Sequence, residues 1–485
     1  MIKRYLPYLL QMKAISLFSG MGGDSLGIKN AGIKLVAYSE WINDFQKTHD
    51  LNFKDCELLG DGGDINNTKD EEFLKYKGKV DLIFAGFPCQ GFSNGGKKLP
   101  DDPRNTLFRE FHRAAKLIEP KYIIGENVKG LLTKYIITTE TLDKFYNSFD
   151  NHFSMESEFS QLYNYTNTTN IYKETMSEIK EFISIIDNKT YDINRLMFLW
   201  GKFKTRQNVE NTNYKKIIKK CSSNKNFKAT KSKIHIIYDI MISIFNKILI
   251  GYIDVIKNEF SNIGYNVYCK VMKCSLQGIP QNRERLIIVG IKKYINKKYE
   301  FPPEKETNTN LKGIIEFTME GSIKMEKEDF NFDTIPKECI ITDMNNDETE
   351  QNPHPNLTLL AKAKDFVYKT KKQKEEEKKT KTKCEGVTFP RRIHFGKRVS
   401  VGGEIIDIRK PINTIICSYS RIPRFFVPLR NKNGYYLRCL TPNELKQIQG
   451  FPKDYKMSGD KNKQIIQIGN AVPPPLITQV IKSII

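Results

Sequence analysis

A single cysteine follows a strand-like segment at a turn rich in glycine and proline. Residues 80–93 read VDLIFAGFPCQGFS, so Cys89 would stand at the carboxyl edge of a sheet. A cysteine acts as a nucleophile when it is partly exposed in electropositive surroundings and a partner stabilises the adduct. The sequence therefore presents Cys89 as a candidate nucleophile, although an isolated cysteine is more often simply buried.

Two further segments could supply partners for that thiol. The predicted strand 121–125 delivers Glu126 to the same sheet edge. The run QNRER over 281–285 places Arg283 and Arg285 on one face if it is extended, because alternate residues of a strand share a face. Each residue alone reads as a strand-end acid or a surface arginine, but their combination and order favour a joint site.

A second group of residues surrounds the end of the first predicted strand. Residues 19–23 read SGMGG and precede a helix-like stretch, which places glycines where open α/β sheets bind their ligands. A dinucleotide motif would need glycine at Ser25, so a pyrophosphate site fits imperfectly. Glu40 ends the second strand, where an acid can take ribose hydroxyls, and Trp41 can stack on adenine. A plain strand turn is the alternative.

The elements that must position these residues alternate between short apolar runs and helical stretches. Continuous apolar strands are typical of a parallel sheet covered on both faces. We therefore predict an α/β fold with a doubly wound, mostly parallel sheet. The predicted strands are 14–18, 34–39, 80–85, 121–125, 265–273 and 285–291.

Charge and composition narrow the class of partner. The 485 residues include 78 basic and 56 acidic side chains, a formal net charge of +22, which predicts nucleic acid before an anionic membrane surface. Because no stretch approaches about 18 uncharged apolar residues, we expect neither a signal peptide nor a membrane span. Nine cysteines without a C-x-x-C pair predict free thiols, a reducing compartment and no metal site.

With these motifs in this order, the chain resembles the DNA cytosine-5 methyltransferase family. The resemblance covers 15–128, about 264–290 and 438–480. It implies a class I, Rossmann-like methyltransferase fold with a smaller β-rich target-recognition domain. It also implies S-adenosyl-L-methionine as cofactor, double-stranded DNA as partner, no metal and a monomer.

The resemblance assigns site residues to three roles. Those implied for catalysis are Cys89, Glu126, Arg283 and Arg285. Those implied for cofactor binding are Phe18, Ser19, Gly20, Met21, Gly22, Gly23, Glu40, Trp41, Asp64, Ile65, Pro88, Leu107, Asn470, Ala471 and Val472. Those expected to contact DNA are Gln90, Ser93 and Thr414, to which we add Arg421 and Arg424 from the basic, β-rich end of the target-recognition segment.

The implied chemistry explains the catalytic residue types. The Cys89 thiolate would add to carbon 6 of a flipped-out cytosine, which turns carbon 5 into a nucleophile. Glu126 would donate to ring nitrogen 3 and hold the exocyclic amine as charge builds on the ring. Arg285, with Arg283 nearby, would bind the pyrimidine carbonyl oxygen or the adjacent backbone.

Pattern and resemblance together predict how the chain is divided. An amphipathic pattern over 237–252 predicts a core helix of the resumed catalytic fold. The lysine-rich run 202–233 is expected to bind phosphates, and the Lys/Glu run 369–383 to be a solvated loop. The predicted parts are catalytic 1–133, a charged insertion 134–233, catalytic 234–295, target recognition 296–437, and 438–485 returning to the catalytic domain.

Departures from the family pattern leave alternatives open. Ser16 stands where an acid is common, and Asn105 where glycine is common. A tRNA cytosine-5 methyltransferase is one alternative, but its Cys-Phe-Thr signature is absent from the sequence. A catalytically inactive nucleic-acid binder is the other alternative. Such a protein should have lost one of the catalytic residues, and all four are present. The expected location is the cytoplasm of a bacterium, or else a nucleus or viral factory.

Overall fold

A computed structural model describes most of the chain. The described residues are 12–88, 107–148, 170–187, 192–221, 233–305, 309–362, 365–368, 387–390, 393–397 and 402–485. The strands are Lys13–Leu17 (β1), Lys34–Tyr38 (β2), Glu57–Leu58 (β3), Leu82–Ala85 (β4), Tyr122–Val128 (β5), Tyr135–Ile137 (β6), Leu249–Gly251 (β7), Tyr265–Lys273 (β8), Gln281–Asn282 (β9), Glu284–Lys292 (β10), Ile323–Met325 (β11), Ile341–Thr342 (β12), Asp365–Tyr368 (β13), Val387–Pro390 (β14), Ile393–Phe395 (β15), Gly403–Ile405 (β16), Ile412–Asn413 (β17), Phe425–Asn431 (β18) and Gly434–Cys439 (β19). The helices are Gly23–Asn30 (α1), Asn43–Asn52 (α2), Asp70–Leu74 (α3), Phe108–Ile118 (α4), Thr139–Asn147 (α5), Asn170–Asp187 (α6), Ile193–Cys221 (α7), Lys233–Ile248 (α8), Tyr252–Asn262 (α9), Pro355–Lys362 (α10), Pro442–Ile448 (α11), Lys461–Asn470 (α12) and Pro474–Ile484 (α13).

The main sheet has seven strands in the order β3-β2-β1-β4-β5-β10-β8. Strands β1 to β5 pair in parallel, whereas β10 and β8 pair antiparallel. Every residue of β4 is buried, as a strand covered on both faces requires. The predicted α/β fold with a mostly parallel sheet is confirmed, and all six predicted strands are present.

This sheet has a topological switch point, or strand reversal, where successive strands are added on opposite sides of β1. Strands β2 and β3 lie on one side of β1, and β4 and β5 lie on the other. The backbone N–H of Gly86 donates to the carbonyl of Leu17 at 3.2 Å, which joins the ends of β4 and β1. Open α/β sheets bind ligands at such a reversal, so the glycine loop after β1 lies at the expected edge.

A second sheet is built from the β-rich segment near the end of the chain. Its order is β11-β19-β18-β16-β15, with β12 beside β18. Buried side chains of its strands, among them Phe426, Leu429 and Leu437, join the core that also holds Ile448 of α11. The Lys/Glu run 369–383 lies outside the described residues.

The chain forms two compact units. One comprises 1–87, 110–127 and 264–485, and the other comprises 88–109 and 128–263. The second unit is mainly helical in its described part, and helices α5 to α8 bury Phe182, Phe203 and Phe245.

The predicted amphipathic helix is present as α8, but its packing differs from the expectation. Its apolar residues Ile237, Met241 and Phe245 join the core of the helical unit, not the central sheet. Helix α7 presents the matching apolar face through Leu196 and Leu199. Periodicity identifies the buried face of a helix but not the element that covers it.

Candidate active site at the strand reversal

Glu126 and Arg285 form an ion pair at the carboxyl edge of the sheet. Glu126 lies on β5 and Arg285 on β10, which are neighbours in the sheet. Arg285 Nε lies 2.7 Å from Glu126 Oε1, and the side chains are 13% and 10% exposed. Apart from this ion pair, Oε1 has no hydrogen-bond partner among the described residues. A buried carboxylate oxygen without such a partner is costly and marks a place for a ligand donor.

The end of β5 also holds the turn that leads toward the candidate nucleophile. Asn127 Nδ2 donates to the carbonyl of Phe87 at 3.1 Å. Phe87 lies two residues before Cys89, and Cys89 itself lies outside the described residues, as do Gln90 and Ser93. Sequence reasoning assigned no separate role to Asn127, although its position directly after Glu126 was an available signal.

Arg283 occupies a different environment from Arg285. Its guanidinium is buried and donates to the carbonyls of Ile415 at 3.1 Å, Gly469 at 3.3 Å and Ala471 at 3.1 Å. Burial, with the nearby charge of Arg285, lowers the pKa of Arg283 to about 9. These bonds give Arg283 a positioning role, and direct contact of Arg283 with a substrate stays a prediction.

Replacing Arg283 by methionine should destabilise the protein. The substitution keeps much of the side-chain length but removes the Arg283 donor from three buried carbonyls, of which that of Ala471 keeps a bond from Gln449. We expect a loss of about 2–5 kcal/mol in the free energy of unfolding. Urea unfolding followed by circular dichroism measures it. The same substitution at the exposed Arg421 is the control, and equal losses in both variants would refute the positioning role.

The glycine loop is tied to the end of β2. The N–H of Ser19 donates to the carbonyl of Ser39 at 2.9 Å, and the N–H of Gly20 donates to Glu40 Oε2 at 2.9 Å. Glu40 Oε1 accepts from the N–H of Ile42 at 2.8 Å. Burial raises the pKa of Glu40. Each carboxylate oxygen retains a lone pair for a ligand hydroxyl.

Two residues of this loop have unusual backbone or packing. Phe18 adopts a φ of 58°, which is uncommon for a side chain of its size. A Cβ at Gly23 would lie 2.1 Å from the carbonyl oxygen of Val472, so only glycine allows this approach. The closing segment that contains Val472 therefore packs directly against the loop.

The closing segment is held by buried side-chain amides and a guanidinium. The carbonyl of Ala471 accepts from Gln449 Nε2 at 2.6 Å as well as from Arg283. Tyr455 donates its hydroxyl to the carbonyl of Met21, on the glycine loop. Sequence reasoning missed Gln449 and Tyr455 as supports, and Asn470 lies exposed beside them.

The remaining predicted site residues have diverse surroundings. Asp64 Oδ1 accepts from the N–H of Asn66 at 3.0 Å, and Ile65 is buried. Thr414 Oγ1 donates to the carbonyl of Asn282 at 3.1 Å, so its hydroxyl is already engaged. Pro88 and Leu107 belong to the helical unit, Arg421 is exposed, and Arg424 is partly buried.

Trp41 exposes 69% of its surface beside the end of β2. An exposed indole in a ligand-binding edge is suited to stacking on a base, which is worth about 1–3 kcal/mol. Trp41→Ala should therefore raise the Kd for S-adenosylmethionine about tenfold without loss of stability.

Fluorescence offers a direct measurement of Trp41, because the chain has two tryptophans. In Trp200→Phe, Trp41 is the sole indole, and we expect its emission to change on addition of cofactor. An unchanged emission and an unchanged Kd in Trp41→Ala would contradict the stacking role.

Comparison with known proteins decides the family. The model of the C-5 cytosine-specific DNA methylase family matches residues 12–152 and 246–485. The chain belongs to this family. The resemblance inferred from the motifs is thereby confirmed.

Curated relatives of the methylase family match a shorter part of the chain. The Type II methyltransferase M1.HphI of Haemophilus parahaemolyticus is 40% identical over 137 residues, 27% of this chain and 36% of the relative. The Type II methyltransferase M.Eco47II of Escherichia coli is 44% identical over 119 residues, 24% of this chain and 27% of the relative. The alignments thus span between about a quarter and just over a third of these relatives.

A solved structure, that of the Entamoeba histolytica methyltransferase EhMeth, is 13% identical in sequence to this chain, with a TM-score of 0.48. The alignment covers 98% of this chain and 97% of that one.

The methylase-family match omits 153–245, which contains α6, α7 and most of α8. The described helices of the second unit therefore lie mostly outside the family's shared sequence.

Proposed function

We propose that the protein is a DNA cytosine-5 methyltransferase that uses S-adenosyl-L-methionine. The observation that carries this proposal is the Glu126–Arg285 pair at the sheet edge where β4 ends, four residues before Cys89 in the sequence. The family of the chain supports the same reaction. A role in restriction-modification is supported by the names of the Type II relatives.

The residues around the glycine loop fit S-adenosylmethionine. A Cβ at Gly20 would meet its nearest neighbour only at 3.9 Å, so there is space above the loop. Glu40 offers acceptors to ribose hydroxyls, and Trp41 offers an exposed ring for adenine. When bound, the cofactor supplies a methyl group activated by a sulfonium centre.

The side chains of this protein would activate the cytosine. The Cys89 thiolate forms a bond to carbon 6, and the electrons of the 5,6 double bond make carbon 5 nucleophilic. Glu126, in its protonated form, donates to ring nitrogen 3 and stabilises the charge that builds there. Once carbon 5 carries the methyl group, its proton would pass to water and Cys89 would leave as a thiolate as the 5,6 double bond forms again. Glu126 would then take back the proton on ring nitrogen 3.

Arg285 would act on the same ring from the neighbouring strand. Its guanidinium can bind the pyrimidine carbonyl oxygen or the adjacent nucleic-acid backbone. In the structure it contacts Glu126, so base binding would exchange part of this ion pair for contacts to the ring. A cytosine within a duplex must leave the stack to reach these groups.

The choice between DNA and tRNA as substrate is tested by transfer of a labelled methyl group. Duplex DNA with varied sequence and total tRNA are incubated separately with the protein and labelled S-adenosylmethionine. We expect label in the DNA. A strong preference for tRNA would overturn the proposed substrate, and cofactor binding without transfer would favour an inactive binder.

Target recognition is proposed to lie in the β-rich segment that ends at residue 437. Arg421 and Arg424 stay our candidates for base reading, because an arginine can contact guanine through two hydrogen bonds. Replacing Arg421 or Arg424 by alanine should relax the sequence preference at one base pair of the target. The free energy of binding to the target sequence should weaken by about 1–3 kcal/mol. Sequencing of bisulfite-treated DNA measures this. If the methylated sequences were the same in both variants as in the wild type, neither arginine would read the base sequence.

Phosphate binding by the basic run 202–233 needs a narrower proposal. Lys202 Nζ and Arg206 Nη1 lie 2.7 and 2.6 Å from the carboxylate of the buried Glu178. Both also contact Glu174, at 3.6 and 2.9 Å, so two carboxylates offset these two charges. Phosphate binding by the run is therefore proposed for its exposed lysines. Lys204 and Lys215 are exposed, and their replacement by glutamine should weaken binding to all DNA sequences alike.

The remaining inferences concern assembly and location. Among the described residues, no helix is long and apolar enough to span a membrane, and no cluster of side chains is suited to a metal ion. We propose that the protein acts as a monomer on double-stranded DNA. We also propose the cytoplasm as its location in a bacterium, and otherwise the nucleus or a viral factory.

A further inference from the structure

A buried carboxylate lies beneath the glycine loop. Asp24 is the second residue of α1 and is 1% exposed. It accepts a hydrogen bond from the hydroxyl of Ser16 and a longer one, at 3.3 Å, from the hydroxyl of Ser19. Burying a charged group is costly unless it is hydrogen-bonded, so these bonds explain how the carboxylate is tolerated. Nothing in the proposed chemistry uses Asp24.

The hydrogen bonds continue from Ser19 to a buried histidine. The hydroxyls of Ser19 and Ser25 are 2.8 Å apart, and Ser25 Oγ lies 3.0 Å from His49 Nε2. Burial lowers the pKa of His49 to about 3, so the imidazole is neutral near pH 7. The network therefore joins α1, the glycine loop and α2 through side chains alone.

The direction of this network follows from the other nitrogen of His49. His49 Nδ1 has no hydrogen-bond partner among the described residues, and the nearest carboxylate, Asp50, is 3.9 Å away. A buried N–H without an acceptor is rare in proteins, so we assign the proton to Nε2. His49 then donates to Ser25, Ser25 to Ser19, and Ser19 to Asp24.

We propose that Asp24 is a positioning residue for the glycine loop. Through Ser19 it holds this loop in the conformation that binds S-adenosylmethionine. This inference rests on the proposed function. Ser19 connects the loop to its surroundings. Its N–H donates to the carbonyl of Ser39, and its own carbonyl accepts from the N–H of Gly22 at 2.9 Å. The preceding residue, Phe18, has a positive φ, and such a backbone persists only where its surroundings hold it.

The proposal predicts a pH dependence for cofactor binding. Burial raises the pKa of Asp24 to about 7, so the carboxylate becomes a proton donor as the pH falls below that value. A protonated Asp24 can itself donate a hydrogen bond, so Ser19 need no longer donate to it. The order of donors and acceptors from His49 to Asp24 is then no longer fixed. Cofactor affinity should therefore decrease as the pH falls from 8 to 6.

The other ionisable groups around Asp24 titrate elsewhere or act separately. Cys56, after α2, has its pKa raised to about 12, and that of Tyr455 lies well above 10. His49, on α2, stays neutral. Glu40 bonds the loop from the end of β2 and has a raised pKa, so its contribution must be separated by comparing variants.

Calorimetric titration of the full chain with S-adenosylmethionine tests the proposal. Asp24→Asn keeps the shape, but its amide N–H₂ cannot accept, so we expect the Kd to rise about tenfold or more at pH 8 and to vary less with pH. The KM for S-adenosylmethionine should rise with little change in kcat. Asp50→Asn, the same substitution at a neighbouring carboxylate outside the network, should leave the Kd within twofold.

Two results would overturn the inference. One is wild-type affinity in Asp24→Asn, and the other is a loss of affinity that keeps the pH dependence of the wild type. If Asp24→Asn does not fold, Ser25→Ala interrupts the same network and should raise the Kd about threefold, and an unchanged Kd would then refute the proposal. Failure of the wild-type protein to bind S-adenosylmethionine at all would instead refute the proposed function.

Discussion

Replacing Cys89 by alanine should reduce methyl transfer to DNA by about 10⁴-fold or more. The reason is chemical, because carbon 5 of cytosine becomes nucleophilic only after a thiolate has added to carbon 6. The affinity for S-adenosylmethionine should remain, since the glycine loop and Trp41 are untouched. Initial rates with labelled cofactor and duplex DNA measure the effect.

Another cysteine provides the matched control. Cys417 is exposed and free, so Cys417→Ala should transfer methyl groups at the wild-type rate. Comparable labelling of DNA by Cys89→Ala and by the wild type would exclude a covalent mechanism through Cys89.

The second large effect is expected at Glu126. Glu126→Gln keeps the shape of the side chain but cannot protonate or carry charge, and we expect kcat to fall by about 10²–10³-fold. Cofactor affinity should change little, because Glu126 lies on β5 and the glycine loop follows β1. Single-turnover rates at saturating cofactor measure the chemical step.

The ion pair allows a sharper version of this experiment. Because Arg285 contacts Glu126 directly, the two residues should act as a unit, and the effects of Glu126→Gln and Arg285→Ala should not add. The double variant should therefore be scarcely slower than the slower single variant. Additive losses would show that the two residues act independently of each other.

The sequence predicted the central sheet well because its strands are local patterns. Apolar runs identified β4 and β5, and glycine after β1 identified the ligand edge. The approach of β5 to β10 follows from a sheet order that no local pattern contains. The sequence therefore placed Glu126 and Arg285 in one site, but it did not predict the ion pair between them.

Arg283 shows what a two-residue period leaves out. The pattern placed Arg283 and Arg285 on one face, and their charges do lie near each other, but the pattern did not show that Gln281–Asn282 and Glu284–Lys292 are separate strands with different partners. The break falls at Arg283, and its carbonyl partners lie more than 130 residues further along the chain. Only the tertiary fold brings those carbonyls together.

The helical unit and the Asp24 network were unpredictable for the same reason. The apolar face of α8 was visible in the sequence, but its cover by α7 was not. The serines and His49 are ordinary residues in isolation, and their value lies in contacts between separate elements. Charge counts likewise overstated the free basic surface, because Glu178 binds both Lys202 and Arg206.

The most direct test of the central claim is the identity of the methylated nucleoside. Duplex DNA treated with the protein and S-adenosylmethionine is digested to nucleosides and analysed by mass spectrometry against synthetic standards. The proposed function predicts 5-methyl-2′-deoxycytidine as the product, with none formed by Cys89→Ala. Methylation at an exocyclic amine of cytosine or adenine, or no methylation of any duplex sequence, would contradict it.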